Sequence, residues 1–204
     1  MAKVILAILL AVFLLCPVVT VQADIMYATE VTNIYRGTVP GNFVGYYGGT
    51  FPGSYPVSLT EAQAKAAVLG VPDSKFLSIP GSASTADVDA YVEVRFASNF
   101  TSASDLYITE LGANQESVRV FLWLVGGGNY QFNITRDGTD TVIVDLDSYS
   151  GTFEKVGLMG RDQLGASWGF DLDAVGVTAV PEPISLVLLG LAIAGLAGMR
   201  KTTN

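Results

Sequence analysis

Between residues 89 and 178 the apolar positions recur mostly every second residue, the period of a strand with one face buried. Tyr91 to Phe96 places Val92, Val94 and Phe96 on one side and Tyr91, Glu93 and Arg95 on the other. Leu106 to Glu110 repeats the pattern with Leu106 and Ile108 inward. Val118 to Val125 is apolar on both sides, which predicts a strand covered on each face or packed beneath a second sheet. Gly126-Gly127-Gly128-Asn129 then turns the chain, and Tyr130 to Arg136 returns with Tyr130, Phe132 and Ile134 on one face. Asp137-Gly138 is a hairpin signal, because the glycine takes a positive φ at no steric cost, and it predicts Thr141 to Leu146 as the partner strand. One segment departs from this period. Thr60-Glu61-Ala62-Gln63 reads as a capping box, Ala62 to Leu69 is rich in helix formers, and Gly70 and Pro72 end the helix after about two and a half turns. Short strands separated by Gly, Asn and Asp turns, with one brief helix, predict an all-β chain: an antiparallel β-sandwich of two packed sheets.

The two ends follow a different rule. Lys3 precedes an uninterrupted apolar run from Val4 to Leu15, and Val21-Gln22-Ala23 offers small residues where a signal peptidase reads, which predicts a signal peptide over 1–23 cleaved between Ala23 and Asp24. Twelve apolar residues fall short of the roughly 20 that a permanent helix needs to cross a bilayer. Cys16, the single cysteine, follows the bulky Leu15, which argues against lipidation, and cleavage after Ala23 leaves a mature chain without disulfides. At the other end, Val180-Pro181-Glu182-Pro183 precedes sixteen uncharged residues from Ile184 to Met199, then Arg200-Lys201. At about 1.5 Å per residue that stretch spans roughly 24 Å as a helix, which suits a transient transmembrane stop, and the basic pair holds its end in the cytoplasm. Residues 181–204 thus form a separate C-terminal segment, and 24–180 the domain between the two ends.

Motif, apolar helix and basic tail, in that order at the extreme terminus, resemble the PEP-CTERM sorting domain. The resemblance rests on Pro181, Glu182, Pro183, Arg200 and Lys201. It implies processing by an exosortase, transient residence in the inner membrane of a Gram-negative-type envelope, and a final place at the cell surface or in an extracellular polysaccharide matrix. A second resemblance covers about residues 65–178. The segments Val68 to Asp73, Phe76 to Gly81, Tyr91 to Phe96, Asp105 to Glu110 and Gly169 to Gly176 look like those of jelly-roll, galactose-binding-like domains. It implies a sandwich of that type and a carbohydrate, here an exopolysaccharide, as partner.

Charge and residue chemistry narrow the function. The 24–180 segment carries 18 Asp and Glu against 8 Lys and Arg, a net charge of −10, which repels nucleic acid and anionic lipid. Histidine is absent from the whole chain, removing the commonest general base and transition-metal ligand, and a serine nucleophile would have to take a Lys or Asp as its base. The domain therefore reads as a non-enzyme, a carboxylate-based glycoside hydrolase on the same scaffold being the alternative. No cofactor is required by the sequence. Calcium is the inorganic ligand its loop carboxylates suit, with Asp105 and Glu110 at the two ends of one strand and Asp171 and Asp173 on a shared face as candidates; the same pairs also read as solvated strand edges. Tyr46, Tyr47 and Tyr55 in the Gly- and Pro-rich stretch Val39 to Pro56, with Trp168, are the candidate glycan platforms, and equally read as rings that plug the ends of the sandwich.

Overall fold

A computed structural model describes residues 24–37, 45–53, 56–81, 89–112, 115–135, 141–161 and 169–179. The unit Asp24–Val180 contains twelve strands among its described residues: β1 (Ile25–Tyr27), β2 (Glu30–Tyr35), β3 (Tyr46–Thr50), β4 (Val57–Leu59), β5 (Lys75–Ile79), β6 (Tyr91–Thr101), β7 (Asp105–Glu110), β8 (Ser117–Leu124), β9 (Asn129–Thr135), β10 (Thr141–Asp145), β11 (Thr152–Gly160) and β12 (Phe170–Thr178). One helix, α1 (Glu61–Ala66), lies between β4 and β5.

Every pairing is antiparallel. A seven-stranded sheet runs β10-β7-β12-β5-β3-β4, and β1 pairs with the C-terminal part of β12, on the edge that β5 occupies at Phe170 to Leu172. The facing five-stranded sheet runs β2-β6-β11-β8-β9. The inward positions of both contribute to one core: Leu106, Ile108, Leu172, Val175 and Val177 from the first, Val92, Val94, Val120, Leu122, Val156 and Leu158 from the second. Each of these is almost wholly excluded from water, and burying such a side chain contributes about 1.5–3 kcal/mol. Phe153 sits where β11 bulges, its ring 5.3 Å from Phe100 and 6.2 Å from Tyr130. This is the sandwich that the alternation predicts.

Two local expectations change. The capping box is present, with Gln63 N–H donating to Thr60 Oγ1 at 3.3 Å and Thr60 N–H to Gln63 Oε1 at 2.9 Å, but the helix stops at Ala66 instead of running to Leu69. Its end is tightened by Val68 N–H reaching Lys65 O, Val68 enters the core, and Gly70 at φ +83° turns the chain so that its N–H reaches Ala28 O at 3.0 Å. The Gly126 to Gly128 turn does join β8 to β9, all three glycines at positive φ. The strand after Asp137-Gly138 is not the partner of β9: β10 pairs with β7 in the opposite sheet, so the chain crosses the sandwich there. Of the two arrangements expected for β8, the structure shows the strand packed beneath the facing sheet. Val118, Val120 and Leu122 fill the core, while Arg119, Phe121 and Trp123 point out of the five-stranded sheet.

Candidate functional site

The four candidate calcium ligands do not converge. Asp105 and Glu110 end the same strand and lie about 17 Å apart at about 3.4 Å per residue. Asp105 faces Asp145 across the β7–β10 ladder, whereas Glu110 is buried at the opposite end of β7 beside Leu172. Asp171 and Asp173 are both buried on β12, and each carboxylate is engaged within the domain. The Ser78 hydroxyl donates to Asp171. The backbone amides of Asp73 and Ser74 donate to the two oxygens of Asp173, each at 3.1 Å. Burial raises the Asp173 pKa, outweighing the two amide bonds that favour its ionised form. Asp173 thus latches the turn before β5, where Ser74 holds φ +68°, onto β12. Among the described residues no group of three or more His, Cys, Asp or Glu is placed to hold a metal ion.

The candidate aromatic platform divides. Tyr46 packs inward against the core and donates its hydroxyl to Ile34 O at 3.4 Å. Tyr47, one residue on, is buried on the other side of β3 near Asp171. Burial raises both phenols, helped by the Glu61 charge at Tyr46 and by Asp171 at Tyr47, so both stay neutral at all ordinary pH. Tyr55 and Trp168 lie outside the described residues, as do Ala23, Pro181, Glu182, Pro183, Arg200, Lys201 and the apolar segments of both termini. Among the described residues no helix is long and apolar enough to cross a membrane.

A second cluster, not singled out from the sequence, occupies the outward face of the five-stranded sheet. Glu93 of β6, nearly buried, accepts from the Thr32 hydroxyl of β2, from Lys155 Nζ of β11 at 3.0 Å and from the Tyr91 hydroxyl at 3.0 Å. Burial alone would raise the Glu93 pKa, but these three donors outweigh it and hold the carboxyl below its usual range. Tyr91 lies across β11 over Gly157 and accepts from Trp123 Nε1 of β8 at 3.3 Å. Its phenol is pushed well up by burial and by the Glu93 charge. Lys155 Nζ also sits 5.5 Å from the Trp123 ring centroid, and Phe121 packs against both Tyr91 (5.9 Å, edge-on) and Trp123 (6.4 Å, parallel). One polar and aromatic network thus ties β2, β6, β11 and β8 together on the solvent side. Its sequence trace is the outward set Arg119, Phe121 and Trp123, masked because Phe121 and Trp123 are as apolar as the inward set.

A cavity of about 450 Å³ lies between α1 and the β3–β4 edge of the larger sheet. Val57, Leu59, Ala66 and Ala67 give it apolar walls, with Thr50, Gln63 and Lys75 as its polar groups. Lys75 is paired with Asp73.

Residues 179–201 match the family described as the PEP-CTERM protein-sorting motif, beginning directly after β12. No curated protein matches the chain. Among solved structures the chain is similar to one titled "X-ray structure of GH31 CBM32-2 bound to GalNAc", at 10% identity and a TM-score of 0.42, covering 74% of this chain and all of that one. It is also similar to CBM35 from Cellvibrio japonicus Abf62, at 16% identity and a TM-score of 0.34, covering 78% of this chain and 94% of that one. At these scores the likeness assigns no ligand and no residue role.

Proposed function

We propose that this chain is an exported surface protein, delivered to the inner membrane by its signal peptide and processed there by an exosortase at Pro181-Glu182-Pro183. Its sandwich then serves as a non-catalytic module that adheres to exopolysaccharide at the cell surface or in the matrix. The observation that carries the reading is the sorting-motif match at 179–201, which starts one residue beyond the last strand. Two prolines around Glu182 hold the chain extended and remove two amide donors, which leaves the backbone open to a membrane-embedded protease. Arg200 and Lys201 stop the apolar segment from slipping through the bilayer. The other end fits the same route. Ala179 N–H donates to Asp24 O at 2.8 Å and β1 begins at Ile25, so cleavage after Ala23 leaves the β1–β12 ladder whole.

The non-catalytic reading is supported by the use made of the carboxylates. Glu93, Asp171 and Asp173 each accept hydrogen bonds from within the domain, and a hydrolase needs two carboxyl groups facing one open cleft. The test is mass spectrometry of the mature species from an exosortase-bearing host. Loss of the signal peptide and of the tail near Pro181 is expected, and Glu182→Ala is expected to leave the full-length tail in the membrane fraction. A mature species that keeps its C-terminal peptide would show the tail to be a plain anchor.

A further inference from the structure

We propose that the outward face of the five-stranded sheet, along β8 from Trp123 to Arg119, holds an extended polysaccharide chain that carries carboxylate groups; this rests on the adhesion reading above. The first observation is Arg119. Its guanidinium makes one hydrogen bond, from Nε to Asn133 Oδ1 at 3.3 Å, and has no carboxylate partner among the described residues. Lys65, Lys75, Arg95 and Lys155 all have one, as a domain with a net charge of −10 makes easy. On this face the pairs Lys155–Glu93 and Arg95–Glu154 cancel, which leaves Arg119 as a localised positive spot with its terminal N–H groups available. A planar fork of donors fits a carboxylate in bidentate fashion, better than it fits a lone hydroxyl.

The second observation is the surface around it. The cross-strand register puts Tyr35, Tyr91, Met159 and Arg119 in one row across four strands, about 14 Å wide at the usual strand spacing. Along β8, the part-exposed Trp123 lies about 13 Å from Arg119, held in place by the buried Phe121 ring between them. Tyr35 is 49% exposed, Trp123 is part-exposed, and Asn133 offers an amide beside the arginine. Apolar C–H faces of sugar rings pack on such side chains, while ring hydroxyls and carboxylates need polar groups at the margin. The face is long enough for several residues of a chain. Nucleic acid and anionic membranes present dense negative charge and are repelled by the rest of the domain, whereas the sugar rings of a glycan pack on the aromatic surface while one of its carboxylates meets Arg119. The third observation is rigidity. The bonds from Trp123 to Tyr91 to Glu93, and from Glu93 to Thr32 and Lys155, fix the side chains before any ligand arrives, which lowers the ordering cost of binding.

The mature protein, purified from an exosortase-bearing host, would be run in affinity electrophoresis through gels containing either soluble polygalacturonate or uncharged dextran. Retardation by polygalacturonate, not by dextran, and weakening with added salt are expected. Arg119→Gln should weaken binding about tenfold or more, the loss of one charge-assisted pair, with Arg119→Lys between it and the wild type. Tyr35→Ala should weaken it severalfold, and Val57→Ser, in the α1 cavity, should leave it unchanged. Thermal melting of Arg119→Gln and Tyr35→Ala at the wild-type temperature would show that neither loss comes from unfolding. Retention of wild-type binding by both variants would place the glycan site elsewhere and overturn this inference while adhesion stands. Equal retardation by dextran would overturn the carboxylate assignment, and no retardation of the wild type by either polymer would overturn both this site and the adhesion reading it rests on.

Discussion

Gly157 is the point at which the outer network can be broken by a single methyl group. Its φ lies outside the left-handed region, so the backbone tolerates any residue, and the constraint is one of space. A Cβ at position 157 would lie 2.9 Å from Cε2 and Cζ of Tyr91 and closer still to its hydroxyl oxygen, inside van der Waals contact. Gly157→Ala therefore displaces Tyr91. The hydrogen bonds to Glu93 (3.0 Å) and from Trp123 (3.3 Å) are lost at about 1 kcal/mol each, and the edge-on contact with Phe121 at about 1 kcal/mol. Alanine in a strand recovers about 0.5–1 kcal/mol over glycine, so the net loss is about 2 kcal/mol, a fall in Tm of about 4–8 °C for a domain of this size. A double-mutant cycle with Tyr91→Ala isolates the cause. Once Tyr91 is truncated there is nothing to displace, and Gly157→Ala should become neutral or stabilising, giving a coupling of about 2.5 kcal/mol. Urea unfolding of the mature protein, followed by tryptophan fluorescence, measures all four corners. An equal loss from Gly157→Ala in both backgrounds would refute the packing of Tyr91 over Gly157 as the reason for the glycine.

Further outcomes follow from the buried carboxylates. Asp173→Asn keeps the shape of the side chain but sets an NH2 against one of the two amide donors, so it should cost about 2 kcal/mol or more in denaturant unfolding; a loss under about 0.5 kcal/mol would show that the carboxylate does not latch the 73–74 turn. Glu93 has a lowered pKa in the folded state, so its contribution is fully present above the ordinary glutamate range and is lost as pH falls through the lowered folded value. The stability difference between wild type and Glu93→Gln should accordingly be largest near neutrality and shrink on acidification; a difference that does not change between pH 7 and pH 3 would contradict the network.

How far the sequence carries depends on how close together the interacting residues lie. The capping box at Thr60 and Gln63, the glycine turn at 126–128, the alternation at Tyr91 to Phe96 and the order of motif, apolar run and basic pair at the C-terminus are all written within a few residues, where chain geometry alone decides. These made the sandwich class and the sorting segment legible. Asp137-Gly138 misled because a turn signal states that the chain reverses, not which neighbour it then meets; β10 found β7 across the sandwich. Helix α1 ends at Ala66, ahead of Val68 entering the core and Gly70 turning the chain at positive φ. The roles of the acidic residues lay further out of reach: Asp173 is fixed by amides 99 and 100 positions away, and Glu93 by Thr32 and Lys155 at separations of 61 and 62. The sequence by itself determined the period, the helix cap and the C-terminal sorting motif, because each is set by bonds and sterics between near neighbours. Only the tertiary structure decided which face of β8 lines the core, which carboxylates become internal latches and that Arg119 is left without a counter-charge on the outer face, because those depend on strand register between segments that approach one another only when the two sheets close over the core.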